Sequence, residues 1–154
     1  MTALPNIPRL YTALAECLAV GIYALPLGIR FGKTATIAAS AAWALALSAF
    51  LQATGRVPLA WWIPCMAAAV GIQYLYLWVT RTISLLEAGY VCARAFVLAE
   101  LAASAEWQLH CFLWPQRSGA DGLSLLLLVV VYGGVFGCIW VLEHKHASPK
   151  GHIV

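Results

Sequence analysis

The sequence predicts an all-α integral membrane protein, a bundle of about five transmembrane helices joined by short loops. Three observations carry that expectation. The 154-residue chain is 63% hydrophobic and only 10% charged, whereas a soluble domain carries about 25% charged residues. Its mean hydropathy is +0.85. Its apolar residues gather in long continuous runs and do not alternate in short segments, which argues against a β-barrel. Charge this sparse means that most of the surface faces lipid.

Crossing the hydrocarbon takes roughly 20 mostly apolar residues in a helix. The first candidate is Leu10 to Leu27, LYTALAECLAVGIYALPL. Its flank holds a single Arg9, its run exceeds a signal-peptide core and no clear small-residue cleavage site follows, so it reads as a retained helix. The second, Thr34 to Leu51, is rich in alanine, and the third is Leu59 to Val79. The fourth, Leu85 to Leu113, is long enough to tilt or to extend past the bilayer. The fifth, Leu123 to Leu142, is LSLLLLVVVYGGVFGCIWVL, and residues 143–154 form a short polar tail. The joins GIRFGK, QATGRVP, TRTIS and WPQRSGADG are short and punctuated by Gly and Pro, which favours sequential antiparallel packing. Trp61, Trp62, Trp78, Trp114 and Trp140 fall near helix ends, where amphipathic rings suit the headgroup level.

Up-and-down connection collects Arg30, Lys33, Arg81, Lys145 and Lys150 on one side and Arg9, Arg56 and Arg117 on the other. Positive-inside bias then puts the amino terminus outside and the tail, Gly151 to Val154 included, in the cytoplasm of a multi-pass cell-membrane protein. A net charge of +3 without a basic patch argues against nucleic acid.

Cys17, Cys65, Cys92, Cys111 and Cys138 are scattered and odd in number, with no C-x-x-C, so they read as small apolar core residues. His144, His146 and His152 have no carboxylate or thiolate framework and read as a solvated tail. No cofactor and no metal are expected. Gly133 and Gly137 form a G-x-x-x-G, and Ala38, Ala42 and Ala46 repeat every four residues. Either stripe would let helices approach closely, within the chain or between chains.

The stretch LAELAASAEWQLHC, Leu98 to Cys111, places Glu100 and Glu106 inside an apolar helix that also carries Glu87 and Arg94. A charge at the bilayer centre costs about 2.5–3.5 kcal/mol on insertion scales. Glu87 can reach the interface. Glu100 lies near mid-span, with Arg94 and Glu106 roughly 7 to 11 Å either side. Residues six apart are about 120° out of alignment on a helix, so neither glutamate pairs well with Arg94 on its own helix. Antiparallel packing brings Glu16 to the depth of Glu100 and Glu106, and Gln73 near Arg94. Glu100, Ser104, Trp107 and Cys111 form one stripe; Glu87, Arg94 and Gln108 form another. The expected site is therefore an intramembrane polar cluster of Glu16, Gln73, Arg94, Glu100, Ser104 and Glu106, in a helix surrounded by protein. Arg94 and Glu100 should face protein or an internal cavity. Such a cluster either fixes packing or serves as a ligand pocket or signalling switch.

No G-x-S-x-G, H-E-x-x-H or Walker A motif is present, and GIRFGKT lacks the upstream glycine spacing of a phosphate loop. The chain as it stands is not expected to be an enzyme.

GYVCARAFVLAELAASAEWQLH, Gly89 to His110, resembles the membrane region of bacterial sensor histidine kinases with a GHKL-type ATPase domain. IPRLYTALAE, Ile7 to Glu16, and GRVPLAWWIP, Gly55 to Pro64, are similar in the same way. These kinases are related in architecture to accessory-gene-regulator receptors. The resemblance implies that residues 1–142 are a transmembrane sensor domain of a two-component system, with residues 143–154 as its cytoplasmic tail. No phosphoacceptor helix, Asn-box or Gly-rich ATP lid is present, so the chain is expected to be a sensor fragment that does not hydrolyse ATP alone. Its partners would be the lipid bilayer, a small-molecule or peptide signal and a second copy. The alternative is a small transporter or permease subunit that places the same charges on a substrate path; a structural subunit without a ligand is a third class.

Overall fold

A computed structural model describes residues 8–114 and 122–147. Over these residues the protein is all-helical: α1 Arg9–Ala24, α2 Lys33–Thr54, α3 Leu59–Thr80, α4 Leu85–Leu113 and α5 Gly122–Ala147. Arg117, Lys150 and His152 lie outside the described residues.

The helix ends follow local chemistry. Pro26, which lacks an N–H, follows the end of α1, so that helix stops short of Leu27. Pro58 immediately precedes α3, and Pro64 removes one donor from its second turn. Ser84 starts α4 with a reciprocal capping box: Glu87 N–H donates to Ser84 Oγ (3.3 Å) and Ser84 N–H donates to Glu87 Oε2 (2.8 Å). The polar tail expected from Glu143 onward is helical as far as Ala147, because helix propensity does not end where hydropathy does.

The helices run up and down in sequence. α1 to α4 close a ring in which α1 packs most extensively on α4, and α5 lies along the α1–α4 seam. The Tyr132 hydroxyl donates to the Tyr11 carbonyl (2.8 Å), setting the first half of α5 beside the start of α1. At the opposite end the α1–α2 and α3–α4 loops are clipped together. Arg30 N–H donates to Thr80 O and Thr82 N–H to Gly28 O, both at 3.0 Å, around an antiparallel bridge between Ile29 and Arg81. A Cβ on Gly28 would meet the Thr82 hydroxyl, which would have to turn away.

Three helical segments, Lys33–Thr54, Ala60–Thr80 and Gly122–Glu143, are long and apolar enough to cross a membrane. α1 has 16 residues, and α4 dilutes its apolar character with Glu87, Arg94, Glu100 and Glu106.

Small residues make the central seam. Ala15 and Ala19 of α1 and Ala95, Ala99 and Ala102 of α4 are completely buried. With no side chain beyond Cβ, they let the two backbones approach closely. The alanine stripe singled out in α2 does something else. Ala38, Ala42 and Ala46 face outward, while Thr36, Trp43, Leu47 and Leu51 face the bundle. Gly133 and Gly137 are also exposed, with open space where a Cβ would stand. Trp43 and Leu47 carry far more contact surface than an alanine, and that decides which face of α2 turns inward.

Candidate functional site

The bundle interior is more polar than its exterior. Glu16, Gln73 and Glu106 each show 0% exposure, and Thr12, His110 and Ser124 are buried as well. Meanwhile Ile37, Leu45, Ile63, Val97, Leu126, Val129 and Val130 point outward.

α1 contributes Glu16 on the same face as Thr12, Ala15 and Ala19. α3 contributes Gln73, whose Nε2 donates to Glu16 Oε2. That hydrogen bond leaves Glu16 Oε1 and Gln73 Oε1 buried without partners. One turn further along α3, Leu77 is fully buried, and Tyr76 stacks on Trp43 of α2 at 4.4 Å and 14°. The Tyr76 hydroxyl also hydrogen-bonds Ser40 Oγ (2.6 Å), so α2 is fastened to α3 by both a ring pair and a polar contact.

α4 contributes Glu106, both of whose carboxylate oxygens are buried without a hydrogen-bond partner. His110, one turn on, lies between Trp107 (5.2 Å between ring centroids) and Trp114 (5.7 Å). Glu100 and Ser104 are half-buried. Arg9 is the cation within electrostatic reach of Glu100. Tyr132 of α5 is buried, its hydroxyl on the Tyr11 carbonyl and its ring edge-on to Phe136.

Arg94 is elsewhere. Its Nη2 donates to Glu143 Oε1 of α5, and the two side chains are 38% and 39% exposed. The guanidinium sits over the rings of Tyr23 (4.6 Å) and Tyr90 (5.5 Å). Its partner is an acid from another helix, whereas Gln73 is taken by Glu16. α4 is not enclosed by protein: Tyr90, Ala93, Val97 and Leu101 form an exposed face. The six expected residues thus divide. Glu16 and Gln73 pair at the α1–α3 contact, Glu100, Ser104 and Glu106 run down α4, and Arg94 lies at the outer α4–α5 edge.

Sequence reasoning missed His110, Tyr132, Tyr23 and Glu143. Tyr132 could have been found as the lone hydroxyl-bearing side chain between Leu125 and Phe136. Glu143 could have been found as the acid that closes the apolar run of α5, but nothing in the sequence pairs it with Arg94.

All five cysteines are free. Among the described residues no group of His, Cys, Asp and Glu has the proximity to hold a metal ion.

Fold and interior together define an all-helical protein with three helices fit to cross a membrane and a buried polar seam. No known family model, curated protein or solved structure matches this chain.

Proposed function

We propose that all five helices cross a cell membrane and that the chain is the sensing region of a two-component histidine kinase. The observation that carries this reading is the polar interior. Three fully buried side chains, Glu16, Gln73 and Glu106, leave four oxygens without partners while aliphatic side chains cover the outside. Such an exterior suits lipid as the surrounding solvent. An interior that leaves hydrogen-bonding capacity unused suits a bundle with a second packing close in free energy. The resemblance of Gly89 to His110, Ile7 to Glu16 and Gly55 to Pro64 to GHKL-type sensor kinases supplies the class of output.

A small-molecule or peptide signal shifts such a bundle only through unequal affinity for the two packings. Moving the population from 1:99 to 99:1 takes about 5.5 kcal/mol of differential binding. An unsatisfied buried polar group costs about 1–3 kcal/mol, so satisfying two or three of these oxygens supplies that amount. The Arg94–Glu143 contact would carry a movement of α4 into α5. The rival transport reading requires Glu106 to open to water, and Glu106 is fully enclosed in this arrangement.

The test is to fuse the chain after α5 to a cytoplasmic kinase region, reconstitute it in vesicles and measure autophosphorylation. Glu106→Leu and the double change Glu16→Leu with Gln73→Leu remove the unused oxygens, so each should shift basal output severalfold while the helices stay intact. Output equal to the parent in both variants would defeat the sensing proposal. The chain alone, given labelled ATP, should neither hydrolyse it nor become phosphorylated.

A further inference from the structure

We infer that the groove beside Arg94 binds an anionic membrane phospholipid, its phosphodiester on the guanidinium and one acyl chain along α4. The inference rests on the chain spanning a bilayer and is independent of the kinase assignment.

The groove has a volume of about 410 Å³. Tyr23 and Tyr90 flank Arg94 at one end, and Ala93, Val97, Leu98 and Leu101 continue the floor away from it. One end is cationic and the rest is aliphatic, which is the polarity of an amphiphile. Tyr90, Val97 and Leu101 are exposed, so the groove opens sideways, toward acyl chains.

The depth is right for a headgroup. α4 has 29 residues, about 43 Å at 1.5 Å per residue, against a hydrocarbon core of about 30 Å. Centred on that core, the helix puts the Arg94 backbone about 7 Å inside the boundary, within the reach of a snorkelling arginine. Two contacts agree with that level. Tyr23 is one residue from the end of α1, and Glu143 closes the apolar run of α5.

Charge points the same way. A guanidinium has five N–H donors, and Glu143 takes one of them through Nη2. Among the described residues, this end of the bundle carries Arg30, Lys33, Arg81, Arg94 and Lys145 against Glu87 and Glu143. The local excess is cationic, and a phosphodiester is singly anionic. An acid from a second copy is a poorer occupant. Among the described residues, Glu16 and Glu106 are buried, Glu100 is half-buried, Glu87 is held in the Ser84 cap and Glu143 is already on Arg94; Asp121 lies outside them. The aliphatic floor offers nothing to a hydrated free anion. The lipid phosphate therefore shares Arg94 with Glu143 and competes for it.

Native mass spectrometry of the purified chain in a non-ionic detergent tests the assignment, with phosphatidylglycerol and phosphatidylcholine titrated separately. Phosphatidylglycerol should be retained severalfold better than phosphatidylcholine. Arg94→Gln should lower its occupancy about tenfold, the scale of one charge-assisted contact. Glu143→Gln, which frees the guanidinium, should raise phosphatidylglycerol occupancy. Val97→Phe, which fills the groove and leaves the charges alone, should lower it with helix content unchanged. If Arg94→Gln fails to fold, the other two variants decide. Equal retention of the two lipids, a fall with Glu143→Gln, or displacement of the lipid by millimolar inorganic phosphate would each overturn the inference.

Discussion

Replacing Gln73 with leucine should destabilise the bundle, and replacing Glu16 as well should undo most of the damage. Both side chains are fully buried and share one hydrogen bond. Gln73→Leu strips Glu16 of that bond and leaves a buried carboxylate with no partner, a cost of about 3–5 kcal/mol. That exceeds the roughly 1–3 kcal/mol returned by deleting the unpartnered Gln73 Oε1. The double change removes every polar atom of the pair. It forfeits one interhelical hydrogen bond, worth about 0.6–1.7 kcal/mol between membrane helices. It also abolishes two oxygens that are unpartnered already, Glu16 Oε1 and Gln73 Oε1, at about 1–3 kcal/mol each. The gains outweigh the single lost hydrogen bond, so the double variant should match or exceed the parent. A coupling of at least about 1 kcal/mol should follow. Equilibrium unfolding in mixed micelles, driven by a denaturing detergent and followed by helix content, measures all four corners of the cycle. Additivity of the two single changes to within about 0.5 kcal/mol would refute the reasoning.

Gly28→Ala should destabilise the clip between the two basic loops by about 1–3 kcal/mol, because the new Cβ meets the Thr82 hydroxyl; Thr82→Ala in the same chain should restore stability in the same unfolding assay. Trp43→Ala removes the stack on Tyr76 and should cost about 3–5 kcal/mol, read as protease cleavage between α2 and α3 under conditions where the parent resists. In a background without Cys17, Cys65, Cys92, Cys111 and Cys138, cysteines introduced at Lys145 and Arg56 should label from opposite sides of intact cells. Ready labelling of position 145 by an impermeant reagent from outside would reverse the orientation.

The five helices were legible as five long, largely apolar runs, although length and hydropathy together reach a membrane span in three of them, since α1 has 16 residues and α4 carries four charged side chains. The start of α4 was legible in outline, since Ser84 and Glu87 have the spacing of a capping box. The rotation of each helix about its axis was not. α3 and α5 are apolar nearly all round, so no face declares itself inward. Depth alone set Gln73 opposite Arg94; the rotation of α3 gave it to Glu16, and the rotation of α4 turned Arg94 outward to Glu143. Small-residue stripes were ambiguous for the same reason. Spacing could not tell Ala38, Ala42 and Ala46, which face out, from Ala95, Ala99 and Ala102, which make the seam. What separates them is the company each keeps. In α2 the large side chains Trp43, Leu47 and Leu51 lie on the opposite face and take the inward position. In α4 the alanines share their face with Glu106 and His110, which lipid cannot satisfy. The buried Glu106 and His110 thus mark which alanines turn inward, and the closeness of α1 to α4 follows from the small side chains on that face.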